Sequence, residues 1–166
     1  MLRMNQKLGI DEQISYLIGG IDLGVLGVTE VVQWADNQIA TNEAPAYELI
    51  ELSLMSESNR YEIKKQLTLI GAPTLSRAEV LPYLLAEAHK KLLKEPDFGK
   101  VLAEGLYRFW SLSNYDLPDN LSPCSYFADA YLLAESGVFG SIDQVHRELL
   151  EFSSQFQSCI ELFSYE

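Results

Sequence analysis

Apolar residues recur along this chain at spacings of three and four from one end to the other, which is the period of an α-helix with one buried face. The first stripe is Ile14, Leu17, Ile18, Ile21 and Val25. Gly20-x-x-x-Gly24 within it offers a close approach for another helix, and the helix is expected to end near Gly24 or Gly27. Thr29 is placed to cap a second helix, whose stripe is Val31, Val32, Ala35 and Ile39, with Trp34 beside it. After a turn over 42–44, Pro45 suits the opening of a short helix over 46–54. Tyr47, Leu49, Ile50, Leu52 and Leu54 run around much of its circumference, which predicts a central position, and Glu48 and Glu51 share what remains of a polar face.

The pattern continues beyond a loop at 56–59. A fourth helix buries Ile63, Leu67 and Ile70 and stops at Gly71 and Pro73. Ser76-Arg77-Ala78-Glu79 has the form of a capping box, but Pro82 conflicts with an unbroken helix, so a short turn and a helix beginning near Pro82 are expected. Leu81, Leu84, Leu85, Ala88 and Leu92 form its apolar face, with Lys90, Lys91 and Lys94 opposite. Pro96-Asp97 restarts the pattern with Leu102, Leu106 and Phe109. An acidic loop over 114–120 leads to Ser122-Pro123, read as a cap and first-turn proline of a helix burying Cys124, Phe127, Ala128, Tyr131 and Leu132. Ser141 to Gln144 is a second capping box, opening a last helix with Ile142, Val145, Leu149, Phe152 and Phe156 that is expected to run through Ile160 and Phe163.

No alternating, strand-like pattern competes, so the fold class is all-α: a compact bundle of seven to nine short helices in a single domain over 1–166. A short α-solenoid of helical pairs is the alternative, weakened by the lack of any repeat of fixed period.

Charge adds the next piece. The net charge is −12, and it is unevenly spread. From Asp11 to Glu57 there are nine acids and no Lys or Arg; from Asp116 to Glu166 there are nine acids against Arg147 alone. Such a field repels nucleic acid and anionic lipid, and attracts a basic protein. The opening Met1 to Lys7 leads into Leu8-Gly9-Ile10-Asp11 without the apolar core of a signal peptide, and no apolar run approaches the roughly 18 residues of a membrane span. Cys124 and Cys159, far apart and in no CxxC, are expected to be reduced thiols in a cytoplasmic protein.

Candidate chemistry is sparse. Asp143-x-x-His146 puts a carboxylate and an imidazole on one helix face, but a di-iron site needs a second such motif and further carboxylates, so no metal is expected. The glycines at 19–27 form no phosphate-binding loop, Ser141 is explained by capping, and no cofactor is expected. Glu48 and Glu51 would serve acid–base chemistry only in a cleft, for example beside His89. The aromatics Trp34, Tyr115, Tyr126 and Tyr165 stand near acidic stretches and suit an interface.

Gly27-Val28-Thr29-Glu30-Val31-Val32-Gln33-Trp34-Ala35-Asp36, with Pro45-Ala46-Tyr47-Glu48-Leu49-Ile50-Glu51-Leu52-Ser53-Leu54, resembles small helical immunity proteins of bacterial polymorphic-toxin and contact-dependent inhibition systems. The resemblance lies mainly in residues 27–70. It implies a non-enzymatic protein that binds and neutralises a cognate toxin domain. Two acidic surfaces are the expected partner-binding residues: Asp36, Glu43, Glu48 and Glu51 beside Trp34, and Asp116, Asp119, Asp129 and Glu135. A helical adaptor with an endogenous partner, or an enzyme with an acidic pocket, are the other readings.

Overall fold

The computed structural model describes residues 8–162, with side chains through Cys159. Eight α-helices follow one another: α1 (Ile10–Leu23), α2 (Val28–Ala40), α3 (Tyr47–Ser53), α4 (Arg60–Ile70), α5 (Arg77–Lys94), α6 (Phe98–Leu112), α7 (Phe127–Glu135) and α8 (Ile142–Ser154). Among the described residues there are also two 3-10 helices, Asp119–Ser125 before α7 and Gln157–Leu162 after α8. There is no strand among the described residues, and no described helix is long and apolar enough to cross a membrane.

Local chemistry sets several boundaries. The Asn59 side chain accepts from the Glu62 amide at 3.0 Å while the Glu62 carboxylate accepts from the Asn59 amide at 3.1 Å, closing a reciprocal cap on α4. Ser76 and Glu79 do the same for α5. At Ser141 only half of the expected box forms: its hydroxyl accepts from the Gln144 amide, but the Gln144 side chain turns to Glu148. α2 is capped two residues earlier than expected, at Gly27, whose amide donates to Glu30. Gly24, at φ 82°, ends α1.

The helices enclose two apolar clusters that share α1. Ile14, Leu17 and Ile21 of α1 join Val31, Trp34, Leu49, Leu52, Ile63 and Leu67 from α2, α3 and α4. Tyr16 and Leu23, on another side of α1, join the larger cluster built from α5, α6, α7, α8 and the first 3-10 helix. A bundle wrapped around a shared helix, rather than a stack of pairs, is the architecture.

Glycine permits the close contacts, though not through the expected pair. A Cβ at Gly105 would stand 2.0 Å from the Leu23 carbonyl oxygen, so α6 lies directly on the backbone of α1. A Cβ at Gly19 would meet Leu84 and Val80 of α5 at 3.0 and 3.1 Å. Gly20 instead makes room for the side chain of Leu26.

Several expectations are corrected. α5 runs unbroken through Pro82. An interior proline costs about 3 kcal/mol, but the cap at Ser76 fixes the start, and Val80, Leu81, Leu84 and Leu85 are all buried at about 1.5–3 kcal/mol each. α3 is peripheral rather than central: Leu49 and Leu52 are buried, but Tyr47 and Leu54 are 68% and 78% exposed. Ser122-Pro123 falls inside a 3-10 helix, α7 starts only at Phe127, and Leu132 is exposed. α8 stops at Ser154, where a 3-10 helix replaces the expected continuation; Phe163 and Tyr165, and the side chain of Ile160, lie outside the described residues.

One buried acid ties the elements around α1 together. Asp22, 5% exposed, pairs with Lys64 of α4 and lies 3.7 Å from the Arg77 guanidinium of α5. Its backbone carbonyl accepts from Arg108 Nε of α6 at 2.9 Å.

Candidate protein-docking face

α3 is a seven-residue helix, and its side chains divide by position. Leu49 and Leu52 point into the smaller cluster. Tyr47, Ile50 and Leu54, at spacings of three and four, share the opposite side and are exposed. Gln66 of α4, itself buried, holds the helix in this orientation: its Nε2 donates to the Glu48 carbonyl at 2.9 Å and to Glu51 Oε2 at 3.2 Å. Glu51 also accepts a hydrogen bond from the Tyr47 phenol, which raises the phenol pKa from its ordinary value. The result is an apolar stripe with carboxylates along its edge, on a helix latched from behind.

The other members of the first acidic set flank this helix in sequence. Asp36 is exposed on α2, which packs against α3, and Glu43 is exposed in the connecting segment. Trp34 is not on that surface. It is 5% exposed, lies in the smaller cluster, and its Nε1 donates to Gln13 Oε1 at 2.8 Å. The helical spacing of its neighbours had placed it beside the buried stripe; in the fold it replaces Val32 in it.

The second set is more scattered. Asp129 and Glu135 line a shallow groove of about 330 Å³ between α6 and α7, together with Lys100, Glu104 and Tyr107. Glu135 pairs with Lys100 at 2.9 Å, which raises the lysine pKa. Asp116 and Asp119 are exposed on the segment leading into the first 3-10 helix. That segment follows Asn114 and Tyr115, both with positive φ, and the Tyr115 ring stands edge-on to Trp110 at 4.7 Å. Tyr126, also exposed, donates to Glu148. The two acidic sets stand on the two different clusters, so they form two separate surfaces.

Among the described residues, Glu135 alone of these eight acids has a cation within ion-pair distance. None of the others has a described Lys or Arg within that distance; Asp36, Glu43, Asp116, Asp119 and Asp129 are exposed, whereas Glu48 and Glu51 are half-buried.

The remaining candidates resolve into packing. His89 is buried, its Nδ1 2.9 Å from the hydroxyl of fully buried Ser153 on α8, whereas Glu51 bonds Gln66 on α4; the fold does not bring Glu48, Glu51 and His89 into one cleft. His146 Nδ1 lies 3.3 Å from the Tyr131 hydroxyl. Among the described residues no group of His, Cys, Asp and Glu is arranged to hold a metal ion. Cys124 is a buried free thiol whose pKa desolvation raises to about 12, and Cys159 is a half-buried one, also raised by desolvation.

The sequence reading missed the stripe on α3. Its signal was present, because Tyr47, Ile50 and Leu54 share one side of a helical projection and Leu49 and Leu52 the other. Comparison with known protein families, with curated proteins and with solved structures finds no match to this chain.

Proposed function

We propose that this protein binds a basic protein partner through the acidic face centred on α3, and that it does so as an immunity or inhibitor protein that neutralises a toxin domain. The observation that carries the reading is the exposed Tyr47–Ile50–Leu54 stripe bordered by Glu48 and Glu51. Protein interfaces combine a small apolar centre, often holding an aromatic anchor, with a polar rim. Here Tyr47, Ile50 and Leu54 form the centre, and the flanking Glu48 and Glu51 carry negative charge. Acidic residues at such a rim speed encounter with a basic surface, while the apolar centre sets the lifetime of the complex. The second acidic surface, around Asp116, Asp119, Asp129 and Glu135, adds long-range attraction.

Co-expression with the protein encoded beside it is the direct test. The expected result is a stable complex and loss of that protein's toxicity. Reversing Asp36, Glu43, Glu48 and Glu51 to Lys slows association and flattens its salt dependence, whereas Tyr47→Ser with Leu54→Ser speeds dissociation. An association rate unchanged by reversal at both acidic surfaces would overturn the electrostatic account.

A further inference from the structure

We infer that the groove between α2 and α5 binds a small amphiphile, an aliphatic chain carrying an anionic head group. This site is separate from the α3 face and does not rest on the function proposed above.

The groove lies between α2 and α5, with buried Tyr16 and Leu17 of α1 and the following Val25 and Leu26 in its lining. Its volume is about 550 Å³, within the range of roughly 300–1,000 Å³ typical of small-molecule sites. The floor is mostly apolar: Tyr16, Leu17, Val25, Leu26 and Trp34 line it. Trp34 has already placed its single donor on Gln13 at 2.8 Å, so what it offers a ligand is carbon surface. Leu26 lies across Gly20, where an added Cβ would come within 2.5 Å of it, so the depth of the floor depends on that glycine.

The walls differ in charge. α2 contributes Gln33 and Asn37, which are neutral, and Glu30, whose carboxylate is already held by the Gly27 amide at 2.9 Å. α5 contributes Lys90, Lys91 and Lys94. Lys90 is engaged by Glu87 at 3.3 Å. Lys91 Nζ rests 4.6 Å from the centre of the Phe98 ring. Among the described residues neither Lys91 nor Lys94 has a carboxylate within ion-pair distance. Glu95 is the remaining acid at the groove and lies beyond the end of α5. In a chain of net charge −12, two ammonium groups left without carboxylates beside an apolar trough select a ligand with carbon for the floor and negative charge for the α5 wall.

Dodecanoate below its micellar range is the probe, with dodecyltrimethylammonium as its cationic counterpart. Trp110→Phe leaves Trp34 as the sole indole, so its emission reports on the floor. The expected result is saturable one-to-one binding of dodecanoate, weakened about tenfold by Lys91→Gln with Lys94→Gln. Gly20→Ala, which pushes Leu26 up into the groove, weakens it further, and the cationic amphiphile binds less well than the anionic one. Circular dichroism establishes that each variant is folded; should Gly20→Ala fail to fold, the lysine pair on the exposed wall still decides. Equal binding of both amphiphiles, affinity unaffected by removing the lysines, or absence of saturable binding would each overturn the assignment.

Discussion

The two halves of the molecule bury their apolar surface on very different scales. Among the described residues the smaller cluster holds ten buried apolar side chains and the larger one twenty-three. Each buried side chain contributes about 1.5–3 kcal/mol, so α2, α3 and α4 are anchored far more lightly than α5 to α8. Within the lightly anchored half, α2 and α3 lie in the base-free acidic stretch and α3 carries the exposed stripe, while α4 brings in Arg60, Lys64 and Lys65. Regions that engage partners come from the less stable end of a fold, because the same side chains cannot serve both the core and the interface. α1 is the element on which the contrast turns, since it supplies side chains to both clusters.

The most severe test of that arrangement is Gly105→Ala. The new methyl would meet the Leu23 carbonyl, a backbone atom that no rotamer change can move, so α1 and α6 must separate. Destabilisation of about 3 kcal/mol or more is expected by denaturant titration, at the upper end of overpacking effects. Gly19→Ala meets only the side chains of Leu84 and Val80 and should cost about 1 kcal/mol. Because α1 is shared, Gly105→Ala should lower amide-exchange protection in both halves. Loss confined to α5–α8 would mean that α1 does not couple them.

Leu67→Ala separates the halves instead. Leu67 is fully buried in the smaller cluster, and its truncation should cost about 3 kcal/mol. Hydrogen exchange should then show α2, α3 and α4 opening while α5 to α8 keep their protection. Uniform loss of protection would show that the two clusters open only as one.

Alkali should act on the other half. Tyr16, Cys124 and Tyr131 all belong to the larger cluster, and burial raises the pKa of each; Cys124 moves from 9.0 to about 12 and Tyr131 from 10.0 to about 12. The unfolded chain therefore releases these protons at lower pH than the fold does. The stability associated with the protonated groups is complete below about pH 9 and is lost as pH rises toward 12. A fall of about 4–5 kcal/mol near pH 11 is expected, with α5 to α8 losing protection. The Cys124 thiol should stay unreactive toward a disulfide reagent until that opening, and the less buried Cys159 should react first.

Most of the fold was legible because helical period, reciprocal caps and apolar faces agreed with one another. The α5 face and the Ser76 cap were read correctly, but Pro82 was given too much weight because the burial that offsets it is a tertiary fact. The same limit hid the groove: no local pattern reveals that residues of α1, α2 and α5 line one trough. In α3 the apolar count pointed to burial, whereas the seven-residue length leaves room for only a short inward row. Asp22 shows the limit for charge. It counts as one more acid in a base-free stretch, yet in the fold it meets Lys64 and Arg77 brought from α4 and α5.

The smallest effect on stability is the most informative about the exposed stripe. Tyr47→Ser with Leu54→Ser removes side chains that are 68% and 78% exposed, so the folded state should lose no more than about 0.5 kcal/mol. Leu49→Ala, on the opposite side of the same helix, should cost about 2–3 kcal/mol because Leu49 packs in the smaller cluster. A pair of melting curves therefore distinguishes a docking face from an unfilled part of the core. If Tyr47 and Leu54 were holding α3 in place, the double substitution would destabilise the chain as much as Leu49→Ala and expose the α2 and α4 amides to exchange. If they instead serve a partner, the double variant melts with the parent while its complex dissociates at least tenfold faster, which corresponds to about 1.4 kcal/mol or more of lost binding.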